Sequence, residues 1–346
     1  MLTRINSYDP GTEEWGWTIW SDFVKKDTEL AAEVIHESKH QLQGVINTLT
    51  EEVGRVILGK REQVRLALCC LLAEGHLLIE DIPGIGKTTL AKVLAEILGM
   101  EFRRIQCTSD MLPGDILGVS VFEQTAGTFR FHPGPIFTHV LLTDEINRST
   151  PKTQSALLEA MEERQVTLEG ETRPLPRPFF VIATQNPLEL AGTFPLPESQ
   201  LDRFLLRIEL GYPDRSSEHD LLRGGGTSRE LAQIKPMLTP EKVIHFQQMA
   251  AGVHVSDTLV EYIQNILDFT RTSSLFHMGL SPRGGLFLLR AARSWALISG
   301  RDFVVPEDVQ KILPYVAGHR LRKADGQGEM VRDELMALLL SVPVPT

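Results

Sequence analysis

The sequence predicts an α/β domain built on a parallel sheet with helices on both faces, followed by an all-α domain. Three observations carry this. An apolar run, His76 to Ile79, leads into the glycine-bearing loop Ile82-Pro83-Gly84-Ile85-Gly86-Lys87-Thr88-Thr89, and a helical pattern follows from Thr89 to Leu98. Two further apolar runs, Val140 to Thr143 and Phe179 to Ala183, end in polar or acidic residues, as buried parallel strands do where they meet a ligand. Beyond Tyr212-Pro213-Asp214 the apolar residues recur at helical spacing, which marks a boundary near residue 213.

Composition narrows the class. The chain has 346 residues, 42% hydrophobic and 23% charged, enough for two globular domains. A formal net charge of −10 argues against a protein that coats nucleic acid, which needs a basic footprint. No apolar run approaches the roughly 18 residues of a membrane span. Met1 to Pro10 lacks the basic-then-apolar order of a signal peptide. The three cysteines, Cys69, Cys70 and Cys107, read as reduced core residues, so a cytoplasmic setting is expected.

In chain order, residues 1–28 form an extension that holds Trp15, Trp17 and Trp20 with Tyr8. It is a candidate docking arm; the alternative is packing onto its own domain or a neighbouring subunit. Residues 29–213 form the α/β domain. Glu29 to Val56 has helical spacing, and Ile57-Leu58-Gly59 ends it; this apolar turn either lines a base pocket or is a plain helix end. A helix is expected over Glu62 to Ala73 and a strand over His76 to Glu80.

The loop then has the context of a phosphate cradle: strand, glycines, Gly-Lys-Thr, helix. Pro83, Gly84, Ile85, Gly86, Lys87, Thr88 and Thr89 are the candidate nucleotide-binding residues. Glycines let the backbone approach phosphate, and the helix N-terminus offers free N–H groups. Lys87 would reach the β- and γ-phosphates of ATP, and the Thr88 hydroxyl would hold Mg²⁺. Asp81 stands where the full pattern has glycine.

Thr89 to Leu98 is closed by Gly99, and Phe102 to Cys107 is a second strand. Leu117 to Phe122 and Thr128 to Phe131, joined through Thr125-Ala126-Gly127, predict a β-hairpin that interrupts a crossover helix; it reads as a working loop facing a substrate or pore, the alternative being a surface decoration. Val140 to Thr143 ends in Asp144-Glu145. Asp144 would support Mg²⁺, and Glu145 would polarise the attacking water as base. Lys152 to Arg164 is a helix, and Gln165 to Arg173 a smaller hairpin around Gly170. Asn186, just past the strand Phe179 to Ala183, is placed to orient the lytic water. A short helix over Leu196 to Phe204 and a strand over Leu205 to Leu210 complete the domain. Residues 214–346 form the all-α domain, with helices over 217–222, 240–251, 257–270, 282–297, 306–316 and 330–340 and a Gly224-Gly225-Gly226 break.

These pieces outline an AAA+ ATPase with a helical lid, and the run from Thr143 to Val166 (TDEINRSTPKTQSALLEAMEERQV) resembles the signature of the MoxR family. Ala183-Thr184-Gln185-Asn186-Pro187, the segment Leu196 to Phe204, and Leu280-Ser281-Pro282-Arg283-Gly284 are similar to further motifs of that family. The likeness covers roughly residues 45–320 and leaves the tryptophan arm outside. It implies that Lys87, Thr88, Asp144 and Glu145 are the two Walker motifs and Asn186 is sensor 1. It implies that Arg203 is an arginine finger for a neighbour's site and Arg283 is sensor 2, in cis or across the interface. The alternative for Arg203 is a salt bridge to Asp202 or Glu198. Arg148 either contacts a neighbour's nucleotide or ties loops together. Loops of this family often lack the first glycine.

The resemblance also implies a homo-oligomeric, hexameric ring that hydrolyses ATP with Mg²⁺. Its work would be chaperoning or remodelling client proteins, with von Willebrand factor A domain proteins as partners. No nucleic-acid partner is expected. The alternatives are a nucleic-acid motor or a chelatase-type motor subunit of the same clade, and, less in keeping with an intact Lys87, Glu145 and Asn186, a non-hydrolysing scaffold.

Overall fold

The computed structural model describes residues 43–125, 127–187, 191–223, 233–324 and 331–345. The tryptophan arm, the start of the helix expected from Glu29, and the Gly224-Gly225-Gly226 break lie outside the described residues.

Five short strands form one parallel sheet. They are β1 (Leu77–Glu80), β2 (Phe102–Gln106), β5 (Val140–Asp144), β8 (Phe180–Gln185) and β9 (Leu206–Ile208), in the order β2-β5-β8-β1-β9. β1 therefore lies between β8 and β9, with Leu77 opposite both Ile182 and Leu206. Side chains of a strand alternate between faces, and here that period sorts them into two cores. Leu77, Ile79, Val140, Leu142, Phe180 and Ile182 join the cluster of α1 (43–56), α2 (Arg61–Leu72) and α3 (Lys87–Ile97). Leu78, Leu141, Val181 and Ala183 join the opposite cluster, under α5 (Pro151–Glu163). The near-continuous apolar runs of β1, β5 and β8 follow from this: both faces are covered, so neither can be polar. Each such buried Leu or Ile contributes about 1.5–3 kcal/mol.

Two hairpins project from the crossovers. α4 (Pro113–Leu117) leads into β3 (Gly118–Glu123), which pairs antiparallel with β4 (Thr128–Pro133). Phe122 and Phe129 sit opposite each other near its tip, edge to face, and are 51% and 69% exposed. β6 (Gln165–Leu168) and β7 (Glu171–Pro174) form the smaller one. Both match the expected hairpins and run a residue or two further. The last sheet strand is shorter than the expected Leu205 to Leu210, because the amides of Leu210 and Gly211 turn away from the ladder to a side chain, Asp81.

After α6 (Glu198–Leu201) and β9 come α7 (Arg215–Leu222), α8 (Pro240–Ala251), α9 (Asp257–Thr272), α10 (Pro282–Ile298), α11 (Pro306–Ala317) and α12 (Arg332–Leu339). Asp214, Ser256 and Ser281 cap α7, α9 and α10 through backbone N–H groups three residues on, which is why those helices start there. Their buried side chains, Tyr262, Ile266, Leu288 and Ile312 among them, merge with the cluster of α1–α3 into one apolar body. Gln247 on α8 and Cys69 on α2 each bond a carbonyl across that seam, Leu71 and Ala291 respectively. Among the described residues no helix is long and apolar enough to cross a membrane.

Candidate active site

The loop after β1 turns through two glycines in the left-handed region, Gly84 (φ 85°) and Gly86 (φ 94°), a conformation that L side chains strain to adopt. Nothing lies within 4 Å of where a Cβ would stand at either, so the loop backbone faces open space. Gly86 is the N-cap of α3, so free N–H groups of the helix point into that space. Lys87 Nζ donates to the carbonyl of Asp81 at 2.6 Å, folding back along the loop. Partial burial pushes its ammonium pKa down, while Asp81, Asp144 and Glu145 pull it up.

Behind the loop, Thr88 Oγ1 lies 3.4 Å from Asp144 Oδ2 at the end of β5. These are hard oxygen donors facing each other across the loop, a set that suits Mg²⁺. Thr184 on β8, fully buried, organises the carboxylates: its hydroxyl donates to Asp144 Oδ1 (3.1 Å) and accepts the Glu145 N–H (3.0 Å). Glu145 itself sits at φ 55°, a strained position for a non-glycine residue, which lifts its side chain out of the strand line. Its carboxylate meets Arg148 Nε at 2.7 Å and accepts from Gln106 Nε2 at 3.0 Å. Arg104 Nε donates to Asp144 Oδ2 at 2.6 Å. Both acidic residues are thus held by cationic or amide donors. Arg148, with its two sequence alternatives, pairs with Glu145 of its own chain. Asn186 is buried immediately past β8.

A cavity of about 440 Å³ continues from the loop. It is lined by Val56, Ile57, Leu58 and Lys60, by Ile82 to Gly86 and Thr89 of the loop, and by Tyr212, Pro213 and α7 residues Glu218, Leu221 and Leu222. The apolar turn after α1 is therefore part of a pocket and not merely a helix end. Gly59 stands just behind it at φ 74°, where a Cβ would collide with Ser217.

Arg203 and Arg283 are absent from this cavity's lining and meet elsewhere. Both pair with Glu162 of α5: Arg203 Nε at 2.7 Å to Oε2, and Arg283 to Oε1. The bond from Arg203 and the charge of Arg283 hold the Glu162 carboxyl below its ordinary range. The neighbours suggested by sequence for Arg203 are engaged otherwise: Asp202 with Arg320 (2.7 Å) and Glu198 with Arg322 (3.2 Å). The cluster lines a second cavity, of about 200 Å³, with His76, Arg164 and Arg290.

Sequence reasoning missed Thr184, Arg104, Gln106 and Glu162. Thr184 lay within a quoted motif but had no assigned partner. Arg104 and Gln106 share one face of β2 at alternate positions, a signal in itself, but only the pairing of Gln106 opposite Asp144 tells which site they face.

Comparison with known proteins agrees with this fold. The model of the ATPase family associated with various cellular activities (AAA) matches residues 76–206, and that of the AAA lid domain matches residues 268–337. The chaperone MoxR1 of Mycobacterium tuberculosis is 41% identical over 301 residues, covering 84% of this chain and 77% of that protein. YeaC of Bacillus subtilis, an uncharacterised protein, is 43% identical over 312 residues, covering 88% and 97%. A crystal structure from Cytophaga hutchinsonii, described as that of a candidate ATPase, superposes with a TM-score of 0.82 at 34% identity and covers 91% of this chain and 98% of that one.

Proposed function

We propose a function from one premise: the chain belongs to the MoxR family of AAA+ ATPases. Its reaction is the hydrolysis of ATP. In our reading it performs that reaction in a homo-oligomeric ring, hexameric as in the resemblance, and uses it to remodel client proteins that carry von Willebrand factor A domains. Buried, unpaired Cys69, Cys70 and Cys107 support a cytoplasmic setting.

The residue roles follow from position. The loop amides and Lys87 bind the phosphates, and the Lys87 ammonium exchanges the Asp81 carbonyl for phosphate oxygens. Ile57, Leu58, Tyr212 and Pro213 line the part of the cavity that suits a base and sugar. Thr88 and Asp144 would hold Mg²⁺, which neutralises charge on the phosphates when bound. Glu145 takes the proton of the attacking water through Oε1, while Arg148 and Gln106 both hold Oε2. Thr184 keeps the Glu145 backbone in place while that happens. Asn186 orients the water.

The observation that carries the ring is the separation of the arginines. Arg203 and Arg283 share one carboxylate and neither lines the cavity beside the loop of their own chain. Two guanidinium groups collected on Glu162 are suited to a neighbour's γ-phosphate, and this favours action of Arg283 across the interface along with Arg203. A protein client, as against nucleic acid, is favoured by the β3–β4 hairpin. It exposes Val119, Val121, Phe122 and Phe129, and its one Lys or Arg, Arg130, is paired with Glu123 at 3.2 Å.

The test is a trap. Glu145→Gln should bind ATP, slow turnover by roughly 10²–10⁴-fold, and retain a protein with a von Willebrand factor A domain on co-purification. Retention no greater than with Lys87→Ala, or ATPase stimulation by single-stranded DNA, would count against the client reading.

A further inference from the structure

Asp81, the residue that departs from the phosphate-loop pattern, bonds backbone N–H groups with both carboxylate oxygens. Its Oδ1 accepts the N–H of Ile82 at 2.8 Å. Its Oδ2 accepts the N–H groups of Leu210 (2.7 Å) and Gly211 (2.6 Å), which end the β9 segment. Three backbone donors on one carboxylate make a strong, directional clip, since bonds to a charged acceptor are about twice as strong as neutral ones. A glycine at this position would leave both linker amides without that acceptor.

What the clip holds is a wall of the pocket. Tyr212 and Pro213 follow directly after Gly211 and line the cavity together with Ile57 and Leu58. Lys60 Nζ bonds the Tyr212 carbonyl at 2.7 Å, so this wall has a second tie. The preceding residue repeats the theme. Glu80 pairs with Arg207 at 2.9 Å, both largely buried, and Arg207 in turn bonds the carbonyl of Gly318 at the end of α11. The acidic pair at the mouth of the loop thus ties it to β9, to the linker and to the lid.

We propose that Asp81 is a positioning residue that sets the width of the nucleotide slot. It keeps the Tyr212-Pro213 wall at a fixed distance from the phosphate loop, so it governs the grip on the adenosine half of the nucleotide and leaves the grip on the phosphates alone. This rests on the reading of the cavity as the nucleotide site.

Two probes separate the halves. Inorganic tripolyphosphate touches only the loop; ADP needs loop and slot together. In the full chain, calorimetric titration should show Asp81→Ala raising the Kd of ADP about tenfold while that of tripolyphosphate changes less than about twofold. In turnover, KM for ATP should rise with kcat at saturation nearly unchanged. Asp81→Asn keeps an acceptor oxygen for the linker and should fall between wild type and Asp81→Ala, which a general loosening of the fold would not produce. Equal weakening of both probes would make Asp81 a prop for the loop and overturn the inference. So would unchanged ADP binding in both variants while Lys87→Ala abolishes it. ADP binding that survives Lys87→Ala would instead bring down the site reading, and the inference with it.

Discussion

Acidification should destabilise this protein through His76, a residue at the start of β1 that touches no nucleotide. Its ring is fully buried beside Phe179, and both nitrogens are committed: Nδ1 accepts the Val181 N–H at 3.1 Å, so Nε2 carries the proton and donates to the Met161 carbonyl at 3.2 Å. A second proton has no acceptor, and Arg164 and Arg290 add repulsion. Burial, as the largest cause, lowers the pKa from 6.5 to about 4. The unfolded chain therefore binds a proton that the folded chain refuses over that interval. The stabilisation is whole above pH 6.5 and drains away as pH falls towards 4. At about 1.4 kcal/mol for each pH step, the loss reaches on the order of 2 kcal/mol at pH 5 and 3 kcal/mol at full protonation. Urea unfolding of the nucleotide-free protein at pH 8 and pH 5 measures it, with His76→Asn as reference. The variant is weaker at pH 8 but lacks this titration. Its deficit against wild type should shrink by about 2 kcal/mol at pH 5. His319, also buried with its pKa pushed down, is common to both proteins and cancels. A deficit that stays constant with pH would refute the reasoning.

Two further outcomes probe the divided site. Arg203→Ala should keep ADP binding and lose turnover by about 10³–10⁵-fold; mixed with Glu145→Gln subunits it should recover activity, because each mutant lacks what its neighbour supplies. Arg283→Ala should complement in the same way, and absence of any recovery would sink the trans assignment for the residue concerned. Arg320 of the lid is buried against the segment that carries Arg203, donating to the Asp202 carboxylate (2.7 Å) and to the carbonyls of Asp202 (3.0 Å) and Phe204 (2.6 Å). Arg320→Met leaves those acceptors stranded and should cost about 3–5 kcal/mol in urea unfolding, with turnover falling at temperatures where the fold survives; a loss below about 1 kcal/mol would mean water replaces the guanidinium.

Much of this protein is legible in the order of its residues because the relevant signals are local. Apolar runs at strand length, interrupted by Gly84-Ile85-Gly86-Lys87, dictate a strand, a phosphate cradle and a helix within about a dozen positions. Glycines at 127 and 170 place the two hairpins, and Ser256 and Ser281 start their helices by capping them. Asp144 and Glu145 stand out as candidates because they end an apolar strand. The sites that depend on strand order do not. Arg203 reaches Glu162 across 41 residues, Arg283 reaches the same carboxylate across 121, and Asp81 clips Leu210 across 129. No periodicity encodes such pairs. They exist because the sheet places β9 beside β1 and because α10 of the lid comes back over α5. The sequence by itself presented the loop residues and the Asp144-Glu145 pair as candidates to bind ATP and split its phosphoanhydride. Only the tertiary structure decided that Asp81 holds a pocket wall, and that the two arginines gather on one carboxylate away from their own chain's loop. The physical reason is that charge pairing is blind to separation along the chain and acts only at contact distance, and packing alone sets that distance.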